Sequence, residues 1–107
     1  MAKLDLEAAE RFLASIPQGR WTSYGDVAIA AGRASSAGQP ISSWLGANGH
    51  LVPNVHRVLN GAGEISPAWK PAGPGVPETP EQVEGLLRAE GVRFVDGRAD
   101  PRQRWRP

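Results

Sequence analysis

Two helix signals and the turn between them, all within residues 21–48, constrain this chain more than any other feature of its sequence. Ser23 stands where a cap hydroxyl accepts a hydrogen bond from a backbone N–H of the first turn, and Asp26 places negative charge near the positive end of the helix dipole. Gly32 follows Ala31 and stops the helix, because a left-handed residue costs glycine little. After the small, polar linker 33–38, Pro40 takes the first helical position, where a missing N–H does no harm. Ile41, Trp44 and Leu45 then form one buried stripe at i, i+3, i+4, leaving Gln39, Ser42, Ser43 and Asn48 facing outward. The pattern predicts a helix-turn-helix with two readings open: a pair that presents small polar side chains to DNA, or two packed helices of an ordinary helical domain.

The flanking sequence predicts short elements around that pair. Leu6, Ala9, Phe12, Leu13 and Ile16 recur at helical spacing, so an amphipathic helix is predicted from about Leu4 to Ile16, ended by Pro17 and a Gln18-Gly19 turn. From Gly49 the period changes. Pro53 and Asn54 interrupt an otherwise β-branched run ending at Leu59, which predicts an extended or tightly turned segment, a turn at Asn60-Gly61, and Gly63-Glu64-Ile65 as the other arm of a small hairpin. Four prolines in residues 67–77 predict a loop, in which Trp69 is either a core plug or an exposed aromatic. Thr79-Pro80-Glu81-Gln82 is a helix start, Val83, Leu86 and Leu87 its buried stripe, and Gly91 its end. Val92 to Val95 reads as a strand entering an Asp96-Gly97 turn. Residues 98–107 are predicted to be a basic tail, frayed or serving as an arm.

With 107 residues, 13 of them Gly and 10 Pro, the chain is expected to form one domain over residues 1–107. The expected class is mainly α: a winged helix-turn-helix of three to four helices with a short β-hairpin or wing. There is no cysteine, so disulfides and thiolate nucleophiles are excluded, and the two histidines show no zinc spacing. No cofactor or metal is expected. No apolar run approaches a membrane span, and Lys3, Asp5, Glu7 and Glu10 are too charged for a secretory segment, so a cytoplasmic monomer without membrane partners is expected. Net charge is only +1, but it is segregated. Arg20, Arg33 and Arg57 face the single acid Asp26 between residues 20 and 58, and Arg98, Arg102, Arg104 and Arg106 face Asp100 in the last ten residues. Such segregation suits a surface that approaches phosphates.

Three motifs occur in order: Trp21-Thr22-Ser23-Tyr24-Gly25-Asp26, then Asn54-Val55-His56-Arg57-Val58-Leu59, then Leu86-Leu87-Arg88-Ala89-Glu90-Gly91. Together with Leu45-Gly46-Ala47-Asn48 they resemble the DNA-binding domain of the alkylguanine-DNA alkyltransferase family over about residues 6 to 97. Where those repair enzymes carry Pro-Cys-His-Arg-Val, this chain has Asn54-Val55-His56-Arg57-Val58, so Val55 replaces the alkyl-accepting cysteine. In the enzymes a thiolate attacks the alkyl carbon of a flipped-out guanine, helped by a histidine and a glutamate that His56 and Glu90 match. Valine cannot accept an alkyl group. The chain is more similar to the alkyltransferase-like proteins, which lack the nucleophile, although those commonly carry tryptophan at this position.

The resemblance implies a non-enzymatic protein that recognises alkylated guanine in duplex DNA and flags it for nucleotide excision repair proteins. It implies DNA contacts from Thr22, Ser23, Tyr24, Arg33, Gln39, Ser42, Ser43 and Asn48, with Tyr24 pressing on the target phosphate. It implies a lesion pocket of Asn54, Val55, His56, Arg57, Trp69 and Glu90, with Asn48 bridging its floor and the loop around Trp69 as a lid. The family's arginine finger falls near Ser42, where this chain has no arginine. Trp44 is then either a wedge between bases or a core residue. A DNA-binding or regulatory module without lesion preference, and a protein-interaction domain that has lost DNA binding, are the competing readings.

Overall fold

A computed structural model describes residues 4–67 and 73–107, so Trp69 and its expected role lie outside the described residues. Helix α1, Leu6–Ser15, begins at Asp5, whose carboxylate accepts the Ala8 N–H at 3.0 Å, and buries Ala9, Phe12 and Leu13. Strand β1, Thr22–Ser23, runs directly into helix α2, Tyr24–Ala30. The capping box is present: the Ser23 hydroxyl accepts the Asp26 N–H at 3.1 Å, and Asp26 accepts the Ser23 N–H at 3.2 Å. Gly32, at φ +83°, ends the helix as expected.

Helix α3, Gly38–Asn48, starts two residues before the predicted Pro40, because a 3₁₀ turn at Ser35–Ala37 feeds straight into it. Gly38, at φ -61° and ψ -30°, already has helical backbone where the 3₁₀ turn passes into α3. Proline at the third helical position still lacks only an N–H that has no partner within the helix. Ile41 and Leu45 are buried, and Trp44 is half-buried against the same core.

Beyond α3 the backbone turns tightly, through 3₁₀ turns at Gly49–Leu51 and Val55–Arg57 on either side of a left-handed Asn54 (φ 58°). Strand β2, Val58–Leu59, follows, and here the expected hairpin with residues 63–65 is not formed. β2 instead pairs in parallel with β1, Thr22 opposite Val58 and Ser23 opposite Leu59. Asn60 explains the difference: its Oδ1 accepts the N–H groups of Ala62 and Glu64 and curls the chain, and the Gly63 carbonyl is taken by the Ala99 N–H at 2.8 Å. The hairpin lies later, where β3, Phe94–Val95, pairs antiparallel with β4, Arg98–Ala99. Asp96 (φ 52°) and Gly97 (φ 76°) both take the positive φ that a two-residue hairpin turn requires. This is the wing.

Helix α4, Pro80–Ala89, carries the expected cap, with Thr79 Oγ1 accepting the Gln82 N–H at 3.2 Å. Its buried stripe is Val83 and Leu87; Leu86 is 39% exposed, a correction to the predicted stripe, because it lies to the side of the core-facing line. The C-terminal segment is not a frayed tail. After a 3₁₀ turn at Pro101–Gln103 it lies beside Trp21 as a third parallel line of the small sheet, with Trp21 N–H donating to Gln103 O and Thr22 Oγ1 donating to Trp105 O at 2.8 Å. Successive residues of β2 face opposite ways, so Val58 enters a core made by α1, α2 and α3 and Leu59 enters a second core with Trp21, Val83, Leu87 and Phe94. The parallel pair joins the two. No helix among the described residues is long and apolar enough to cross a membrane.

Candidate nucleic-acid interface

The α2–turn–α3 unit presents part of the expected contact set. Tyr24 is the first residue of α2, half-buried against the first core, and burial raises its phenol pKa so that it stays a neutral O–H donor. Gln39 and Ser43 are exposed on α3, and Arg33, Ser42 and Asn48 are half-buried. Asn48, expected to bridge a pocket floor, donates its amide to the Trp44 carbonyl one turn back in its own helix, at 3.1 Å. Thr22 and Ser23, expected at the DNA, have no accessible hydroxyls. They are 0% and 2% exposed and their oxygens are bound to Asp26, Trp105 O and Arg104. Their role is to hold the start of α2. Trp44 is half-buried and packs against the core, as the core reading expects.

Next to this unit, an open cleft of about 470 Å³ lies between residues 49–56, the stretch 74–77 and Leu86 of α4. Val55 and His56 form its inner wall, with Val52, Val76 and Leu86 as further apolar surface and His50 at the rim. The volume is within the ~300–1,000 Å³ of small-molecule sites. Asn54 lines the cleft too, but its amide donates to Leu13 O at 2.8 Å, which fixes the left-handed turn that presents Val55.

Behind the wall, Glu90 at the end of α4 gathers three of the expected residues. Arg57 binds its carboxylate through Nε and Nη2, both at 3.0 Å, and donates through Nη1 to Ile16 O at 2.8 Å. His56 Nε2 lies 3.0 Å from Glu90 Oε2. A doubly held carboxylate can only accept here, so Nε2 carries the hydrogen. Burial pushes the Glu90 pKa up, but the Arg57 and His56 hydrogen bonds outweigh it and hold the carboxyl below its ordinary value. Burial also lowers the His56 pKa, with the nearby Arg57 charge adding to it against the opposing Glu90, so the imidazole is neutral at pH 7. Nδ1 is then a bare acceptor with no hydrogen bond among the described residues, and it is not an enclosed polar atom. Arg57 and Glu90 support this wall and do not line the cleft.

The cleft wall holds no thiol, because the chain has no cysteine. It offers one apolar branched side chain and one imidazole lone pair. Sequence reading missed Leu86 as cleft surface and missed the clamp at the start of α2, where Arg104 Nε lies 2.7 Å from Asp26 and its Nη2 donates to Ser23 Oγ at 2.8 Å. Burial raises the Asp26 pKa, but the Arg104 and Ser23 hydrogen bonds more than offset it and the carboxyl stays ionised. An acid at the third position of a capped helix signals a cap; nothing local marks a partner 78 residues away.

A family model described as the DNA-binding domain of 6-O-methylguanine DNA methyltransferase matches residues 7–92 of this chain. Among solved structures, the crystal structure of Atl1 from S. pombe, in complex with damaged DNA containing O6-carboxymethylguanine, is similar with a TM-score of 0.70 and 24% identity. The similarity covers 99% of this chain and 100% of that one, and at this identity it is a likeness of fold. No curated protein matches.

Proposed function

This chain belongs to the family of the 6-O-methylguanine DNA methyltransferase DNA-binding domain, and from that premise we propose that it is a non-enzymatic DNA-binding protein that holds an alkylated guanine in the Val55–His56 cleft. The observation that carries the reading is that the cleft is open although the chain has no cysteine. The Glu90–His56–Arg57 cluster still shapes its wall, and valine there offers the apolar contact that an O6-alkyl group needs. The neutral Tyr24 O–H suits a phosphate oxygen, and the polar face of α3 suits a groove. Since the lesion is bound and not removed, its natural consequence is to mark the site for repair proteins.

The test is a titration of one labelled duplex with and without O6-alkylguanine, for the wild type and Tyr24→Ala, with the DNA recovered afterwards. The damaged duplex is expected to bind at least tenfold more tightly, to come back with its alkyl group in place, and to lose most of that preference in Tyr24→Ala. Equal affinities for the two duplexes would overturn the reading.

A further inference from the structure

The C-terminal strap carries an ordered row of positive charge that the cleft does not use. At one end Asp100 anchors two arginines, Arg93 Nε at 3.4 Å and Arg102 Nη2 at 3.1 Å, and Arg20 Nη1 donates to Arg102 O at 3.2 Å. At the other end Asp26 anchors Arg104 at 2.7 Å and Arg106 at 3.9 Å. Yet the side chains of Arg93, Arg102 and Arg106 remain 68%, 81% and 65% exposed, and Arg20 is exposed as well. A guanidinium has five N–H donors, so Arg102, which spends Nε and Nη2 on the two Asp100 oxygens, and Arg93 and Arg106, which make only longer ion pairs, all keep donors for an outside anion. Five arginines against two aspartates leave this strip positive.

Its direction is set by what borders it. Beside Gly97 of the wing, Glu64, Glu81 and Glu84 line a shallow hollow, and Arg88 pairs with Glu84 alone, so that surface is net acidic and repels phosphate. The Asp26 end meets the start of α2, beside Tyr24. Of the two anchors, Asp26 is the one that lies in the same helix as Tyr24.

We propose that the strap is a second, sequence-independent phosphate contact that takes the duplex flanking the lesion on the Tyr24 side. This rests on the reading of the chain as a DNA-binding protein but not on the cleft being occupied. The partner chemistry is the phosphate row of a duplex, for which a strip of exposed arginines with donors to spare is suited; an acidic protein is the alternative outcome.

The experiment compares wild type, Arg106→Gln and Arg102→Gln/Arg106→Gln on a short damaged duplex and on one extended by about one helical turn to each side, over a range of salt. Arg106→Gln leaves the Asp100 cluster and the Arg104–Asp26 contact in place, and its melting temperature is expected to match the wild type. The wild type is expected to bind the longer duplex more tightly. The double variant should lose that gain, with a salt slope shallower by about 1.8, or about 0.9 per lost phosphate contact, and an unchanged ratio between damaged and undamaged DNA. Identical salt slopes in wild type and double variant would overturn the proposal, as would a strap that binds an acidic protein but no duplex. A shallower slope without any lesion preference in the wild type would uphold the strap and refute lesion recognition.

Discussion

At the scale of single residues, Glu90 decides how much of the site is preformed. Its carboxylate is shared by Arg57 and His56 and is only 12% exposed, so Glu90→Gln would leave a guanidinium partly buried and under-compensated. We expect a loss of about 3 kcal/mol at pH 7 by chemical denaturation. The pH dependence has a defined sign. Glu90 and Asp26 have folded pKa values below their ordinary 4.5 and 3.8, so their stabilisation is present above those values and is lost as the pH falls through the folded ones. His56 is also lowered from 6.5, and an unfolded chain takes up that proton first, so stability already declines below pH 6.5. The gap between wild type and Glu90→Gln is therefore expected to shrink below pH 4.5, and a gap independent of pH would contradict the assignment. His56 and Glu90 were legible as a pair because their motifs are specific. Thr22 and Ser23 were assigned to the DNA, whereas their hydroxyls are buried on Asp26, Trp105 and Arg104, since a motif records which hydroxyls matter and not which way they point.

At the scale of elements, caps were legible and pairings were not. Ser23-x-x-Asp26 and Thr79-Pro80 marked both helix starts, because a cap is a contact between residues three apart. The partner of β2 was misread as a local hairpin, since nothing in Val58-Leu59 says that β1, more than thirty residues upstream, takes its edge. The α4 stripe shows the same limit at smaller scale: three apolar residues fit the helical period, but only Val83 and Leu87 reach the core. Leu87→Ala is accordingly expected to cost about 2–5 kcal/mol and Leu86→Ala less than about 1 kcal/mol, read from the same denaturation curves. Equal losses would restore Leu86 to the core and remove it from the cleft wall.

At the scale of the whole molecule, the last residues close the architecture around the start of α2. Trp21 is 1% exposed, with its indole N–H on Asp100 O at 2.8 Å and Arg104 stacked 5.6 Å from its ring centre. A segment that read as a tail is thus part of the frame that sets Tyr24, and only long-range pairing, which composition does not encode, reveals it. That frame, the cleft beside it and the absence of cysteine are what the proposed function rests on: a surface offered to DNA beside a compartment that holds no thiol. The most direct test fills the compartment from its exposed edge. For wild type and Leu86→Trp, the ratio of dissociation constants for undamaged and O6-alkylguanine duplexes should be measured in one buffer. The wild-type ratio is expected to be well above one and to collapse towards one in Leu86→Trp, while affinity for undamaged DNA stays the same. A ratio that survives the tryptophan unchanged would contradict the account.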